Sequence, residues 1–207
     1  MQIKRNYSQL IIWSLSLAVV LGGCGGGTIS GDSFDGKVYS VVNAGTLTFS
    51  TTEITGTGSL VFASPLTATE NSFRPSFTLQ DGGKLKLTLY GSNTLTTGIS
   101  VEFSRNGSVL SVSLKTDSQN QDVSSKFTGI DASTTMTFQV DAHNGESPAH
   151  ILIWDSSITN FAEDNALLNS EDSGFNAPGK GTGTFWGLTL ESATVTAVTL
   201  GAAKFED

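Results

Sequence analysis

The sequence predicts an all-β domain, a two-sheet antiparallel β-sandwich. Three observations lead there. Apolar and polar residues alternate with period two from residue 46 onward, Gly- and Asn-containing turn signals separate the runs, and helix-forming stretches are scarce. Many short strands at regular spacing indicate a sandwich or barrel, and one apolar face per strand suits two sheets packed over a shared core.

In chain order, Leu47 and Phe49 open the alternation and Leu60 and Phe62 continue it. Asp81-Gly82-Gly83 reads as a turn before a strand with Leu85, Leu87 and Leu89 on one face and Lys84, Lys86 and Thr88 on the other. Ile99, Val101 and Phe103, then Leu110, Val112 and Leu114, flank Asn106-Gly107. Asn-Gly accepts positive φ at both positions of a tight turn, so 98–114 is expected to be a hairpin. Met136, Phe138 and Val140 mark a strand over 134–142, and Asn144-Gly145 separates it from a strand over 149–155. The runs AHILIWD (149–155) and TFWGLTL (184–190) are apolar on both faces, which places them centrally or under a covering segment. ATVTAVTLGAAKF (193–205) supplies the closing strand. Only 161–169 is expected to be helical, with Asn160 as its cap.

The amino-terminal segment follows other rules. Lys4 and Arg5 precede an uncharged apolar run from Leu10 to Leu21. A membrane span needs roughly 20 apolar residues, so this run is too short for one and has the layout of a secretory signal peptide. Leu21-Gly22-Gly23-Cys24 resembles the lipobox of bacterial lipoproteins. That resemblance implies a diacylglycerol on the Cys24 sulfur, cleavage just before it and acylation of the new amino terminus. Gly25 rather than Asp follows the cysteine, which in that family implies sorting to the outer membrane where the cell has one. Cys24 is the only cysteine of the chain, so no internal disulfide is possible. The expected organisation is a signal peptide over 1–23, a Gly/Ser-rich tether over 24–33 and a single domain over 34–207.

The whole chain carries 11 basic and 19 acidic residues, a net charge of −8. Loss of Lys4 and Arg5 with the signal leaves nine basic residues and a charge of −10. An acidic chain without a basic cluster argues against nucleic acid and against electrostatic docking on anionic lipid. The lipobox resemblance implies attachment to the membrane through the lipid on Cys24 instead.

The stretches 72–90 (SFRPSFTLQDGGKLKLTLY), 99–114 (ISVEFSRNGSVLSVSL) and 135–155 (TMTFQVDAHNGESPAHILIWD) together resemble the concanavalin-like jelly roll that includes laminin-G-type and legume-lectin domains. The resemblance implies a jelly-roll sandwich and a glycan or protein ligand. The family's calcium-binding positions have no clear counterpart in this chain.

Candidate chemistry is sparse. Two carboxylates on one face of one strand stand an even number of residues apart, most simply two, and no two of the 19 acidic residues are two apart. No Gly-x-Ser-x-Gly elbow is present. His143 and His150 flank the turn HNGESPAH and could share a metal with Asp141 or Glu146, although histidines at the two ends of a hairpin are more often plain surface residues. Glu163-Asp164 and Glu171-Asp172, with Asn165 and Asn169, offer oxygen ligands to calcium, against the plainer role of a solvated loop. Trp154 and Trp186 are candidate ligand contacts, against a role in the core. The expected function is a lipid-anchored, non-catalytic binding module of the cell envelope for a glycan or a surface protein. The alternatives are a structural or assembly lipoprotein that binds another envelope protein and, third, a polysaccharide-cleaving enzyme.

Overall fold

The computed structural model describes residues 33–116, 119–145, 149–171 and 181–205. The signal peptide, Cys24, most of the tether, Glu146 and Asp172 lie outside them. Among the described residues the chain forms twelve strands: β1 (Ser33–Phe34), β2 (Lys37–Asn43), β3 (Thr48–Phe49), β4 (Ile54–Phe62), β5 (Glu70–Gly91), β6 (Ile99–Asn106), β7 (Val109–Lys115), β8 (Asn120–Asp122), β9 (Met136–His143), β10 (His150–Asp155), β11 (Leu168–Asn169) and β12 (Phe185–Ala202). Every pairing between them is antiparallel. The order is β1-β2-β4-β12-β5-β6-β7-β8, with β9, β10 and β11 continuing from β5 and β3 joining β4.

Two long strands organise this network. β5 and β12 pair from Gly91↔Phe185 to Asn71↔Ala202. One half of β5 (84–89) also pairs with β6, and the other half (70–77) with β9. The ladder therefore runs through both layers of the sandwich and bends between them, as strands that switch sheets do. Register shifts mark the bend on β12 between Glu191 and Ala193. Ser192 there has φ 49° and Gly82 across from it φ 76°. Asp81-Gly82-Gly83 is thus a corner inside one 22-residue strand rather than a turn between two. At Gly83 a side chain would stand 2.5 Å from the Ser192 carbonyl oxygen, so glycine lets the two backbones close at the corner.

Bending folds the apolar faces onto each other. Phe103 of β6 stacks on Phe138 of β9 at 5.0 Å, and Phe73 of β5 meets Trp186 of β12 edge-on at 4.8 Å. Trp186 also stacks on Phe62 at 3.9 Å and donates its indole N–H to the Ser64 carbonyl at 2.7 Å. Along one side the edges of the two layers meet: Tyr39 of β2 stacks on Phe49 of β3 at 5.0 Å, and the Asp35 carboxylate accepts the Val198 N–H of β12 at 3.2 Å.

The hairpin over 98–114 forms as expected, but the register Asn106↔Val109 leaves Gly107-Ser108 as its two turn residues, so only Gly107 needs positive φ, at 60°. β9 and β10 pair as expected, with His143 opposite His150. The segments 184–190 and 193–205 are not separate strands; both fall largely within β12. The expected helix over 161–169 is reduced to a single 3₁₀ turn, Glu163–Asn165, without a side-chain cap, and the Asn165 amide donates instead to the Asn160 carbonyl at 3.2 Å.

The corner gives a direct test. Gly83→Ala should destabilise the domain by about 1–3 kcal/mol through this overlap. Gly82→Ala meets nothing within 4 Å and should lose roughly 1 kcal/mol through its positive φ alone. Urea unfolding of both variants measures the order; equal losses would deny the close approach at Gly83.

Candidate functional site

An open groove of about 640 Å³ lies where the β6–β7 turn, the start of β7 and the segment 124–131 converge. Val109, Leu110, Phe127 and Ile130 give it an apolar floor, and Ser108, Ser124, Ser125, Thr128 and Asp131 set polar groups around that floor. Val109 is 61% exposed, the most exposed large apolar residue among those described.

Local hydrogen bonds fix these walls. Val109 bridges to Asp131, and Ala132 N–H donates to the Ser108 carbonyl at 3.0 Å. On the opposite wall the Ser124 hydroxyl oxygen accepts Val112 N–H at 2.9 Å, where β7 meets the 3₁₀ turn Ser124–Phe127. Phe127 pins that turn to the core by meeting Phe138 edge-on at 5.9 Å. The groove is also tied to the corner of β5. Asp81 accepts Gly107 N–H at 2.7 Å, and Arg105 donates to the carbonyls of Gly107 at 2.6 Å and Leu79 at 2.7 Å.

Asp131 carries the charge at the groove. Its Oδ1 accepts the Ser133 hydroxyl at 2.6 Å and the Ser133 N–H at 2.9 Å. These bonds, the hydroxyl's first, hold its carboxyl below the ordinary value of 3.8, and the charge of Arg105 adds to the effect.

The residues expected from sequence lie elsewhere. Trp154 and Trp186 are 0% and 1% exposed, so neither offers a ring face to a ligand. Trp154 donates its indole N–H to the Ala162 carbonyl at 3.0 Å and packs edge-on against Phe161 at 5.6 Å. The loop after β10 thus covers the outer face of that strand, which explains why AHILIWD is apolar on both sides.

His143 and His150 are buried and stack ring on ring at 4.6 Å. His150 Nδ1 lies 3.7 Å from Glu171. Asp141, 0% exposed, is taken up otherwise: it accepts the Gln139 amide at 3.0 Å, Phe205 N–H at 2.9 Å and the Lys204 N–H. It straps the carboxyl-terminal segment across β9. Glu163 and Asp164 are exposed in their 3₁₀ turn, and Glu163 accepts the Asn169 amide. Among the described residues no three His, Cys, Asp or Glu side chains gather so as to hold a metal, and no calcium or other metal is assigned to these four candidates. Nor is any described helix long and apolar enough to cross a membrane.

No protein-family profile matches the sequence, and no curated protein does. Among solved structures the fold is similar to the carbohydrate-binding module CBM66 from Bacillus subtilis, at 10% identity and a TM-score of 0.48, over 79% of this chain and 95% of that one. It is also similar to the exoplasmic/lumenal domain of VIP36 in its Ca2+/Man3GlcNAc-bound form, at 11% identity and a TM-score of 0.45, over 83% of this chain and 85% of that one.

A folded-state pKa held below 3.8 means that the Asp131 interactions stabilise at neutral pH and are lost as pH falls through that lower value. A carboxyl NMR titration should find the Asp131 midpoint below 3.8, and Ser133→Ala should raise it. A midpoint unmoved in the variant would remove the hydroxyl as the cause.

Proposed function

We propose that the chain is a lipid-anchored lipoprotein of the cell envelope, at the outer membrane where one exists, whose sandwich is a non-catalytic glycan-binding module. The carrying observation is the lone Cys24, set directly behind a short uncharged apolar run and Gly22-Gly23, ahead of a Gly/Ser-rich stretch that leads to β1. Two or more acyl chains hold a protein firmly where one does not. The sandwich is then displayed on a tether at the membrane surface.

The groove supports the binding half of the proposal. Sugar rings present C–H faces and a ring of hydroxyls, and here the aliphatic Val109 and Ile130 lie among hydroxyl and carboxylate groups. That arrangement offers apolar contact and hydrogen bonds to the same ring. Trp stacking is not part of the mechanism, since both tryptophans of the domain are buried. An envelope-protein partner is the second reading, favoured by the exposure of Val109.

Two experiments separate the halves. Cys24→Ser should abolish incorporation of labelled palmitate and release the protein from the membrane fraction; unchanged labelling would remove the anchor. Soluble chain 25–207 should bind on a glycan array, and Val109→Asp should weaken that binding by about tenfold or more, the loss of roughly 1.4 kcal/mol. An array without a hit would sink the glycan reading and direct the search to crosslinked envelope proteins.

A further inference from the structure

Leu85, Leu87 and Leu89 of β5 turn into the core, so Lys84, Lys86 and Thr88 stand on the outer face of the sheet. Lys115 of β7 stands on the same face, since Leu114 beside it is buried in the core. Two of these three lysines are matched. Lys84 pairs with Glu191 at 3.2 Å, and Lys115 pairs with Glu102 at 2.8 Å. Lys86 is the exception. Its register partner on β6 is Glu102, but Lys115 takes that carboxylate from the other side. Among the described residues Lys86 has no ion-pair partner.

Lys86 lines a polar recess of about 230 Å³. Thr88 and Ser100, opposite each other in the β5–β6 register, form its floor, and Thr96, Thr97 and Thr116 stand around it. Gly187 of β12 makes room for one wall. A side chain there would stand 2.8 Å from a methyl group of Leu95, so glycine lets the loop 92–98 fold down onto the outer face. Leu95 N–H donates to the Ser92 carbonyl at 3.0 Å, and the hydroxyls of Ser92, Thr94 and Thr96 bond one another at 3.1–3.2 Å. The wall is thus fixed by the loop's own bonds.

Thr88 is 2% exposed, yet its hydroxyl makes no hydrogen bond among the described residues. Buried polar atoms are normally satisfied, and leaving one unsatisfied is costly. Ser100 beside it reaches only the Lys115 carbonyl, at 3.5 Å. One unbalanced positive charge and one unused buried donor therefore line the same recess. The oxygens of a single monoanion would satisfy both.

We propose that this recess binds the carboxylate of an acidic sugar, with Lys86 and Thr88 donating to its oxygens. The proposal rests on the glycan reading and deepens it by naming a sugar class and a second place for it. Lys115 and the groove residue Val109 stand about 20 Å apart along β7 at ordinary strand rise. A carboxylate carries the one charge that balances Lys86. Thr96, Thr97 and Thr116 offer hydroxyls to those of a sugar ring, whereas the carboxyl end of a peptide would need apolar room for its last side chain, and Leu95 is the one large apolar residue at the recess.

The test titrates the processed, lipidated protein, in detergent micelles at neutral pH, with glucuronate and with glucose, which has the same ring and no charge. Carbon-13 NMR signals of the Lys86 side chain and the Thr88 methyl report binding. Glucuronate should shift both signals and bind about tenfold or more tighter than glucose, as a charge-assisted contact implies. Lys86→Gln should erase that difference. Lys84→Gln removes the same charge from the same strand outside the recess and should preserve it. Thr88→Val keeps the shape of the side chain and should weaken glucuronate about fivefold or more. It should leave the midpoint of thermal unfolding unchanged or higher, because the fold makes no use of that hydroxyl.

Equal affinity for glucuronate and glucose, or equal losses in Lys84→Gln and Lys86→Gln, overturns the recess while neutral glycans binding at the groove keep the glycan reading. A Thr88→Val protein that melts lower and binds as before makes the hydroxyl structural and overturns its role. Acetate bound as tightly as glucuronate overturns the sugar in favour of a plain anion site. A glycan array on which acidic glycans alone score, unaffected by Val109→Asp, supports the recess and overturns the groove.

Discussion

The ladder between β5 and β12 holds the molecule together as one network. Its two strands are 22 and 18 residues long, and each contributes to both layers. The layers are therefore joined by backbone hydrogen bonds as well as by the core between them. Everything else is placed relative to the bend in this ladder. Beyond it, Phe73 faces Trp186 and Phe103 faces Phe138. At it, Asp81 reaches out to hold the Gly107 turn, and that turn forms one lip of the groove. The polar corner and the groove are thus a single construction.

The class of fold was legible because burial of one face imposes period two directly on the residues. Leu85, Leu87 and Leu89 are each 0% exposed, and Leu110, Val112 and Leu114 are at most 3%. β2 was not legible: KVYSVVN breaks the alternation where its register shifts between Val41 and Asn43. Gly82-Gly83 has the sequence of a turn because a corner and a turn make the same demand on the backbone, and only the partner strand distinguishes them. The helix expected over 161–169 failed for a tertiary reason. Ala162 and Phe161 are committed to covering Trp154, and Leu168 and Asn169 pair with β10 as β11.

The groove was hidden for a different reason. Its residues come from a hairpin turn, one strand end and an irregular segment, none of which has a period. The signal that could have found it was Val109, an apolar residue immediately after a tight turn and out of phase with Leu110, Val112 and Leu114. Trp154 and Trp186 do not mark a site in sequence because aromatic residues suit a core and a sugar site alike. Asp141 and His143, candidate metal ligands from the sequence, lie instead in a buried polar row with Gln139 on β9. In the fold, Asp141 serves as the fastening for the carboxyl-terminal strap.

Among the described residues β12 is the last strand in sequence, yet it lies in the interior of the sheet, between β4 and β5. Until it arrives, both neighbours lack a partner along one edge and the layers have no shared ladder to bend. Closure of the sheet therefore waits on pairings between residues far apart in sequence, such as Phe73 with Leu200, and contacts of that kind form slowly.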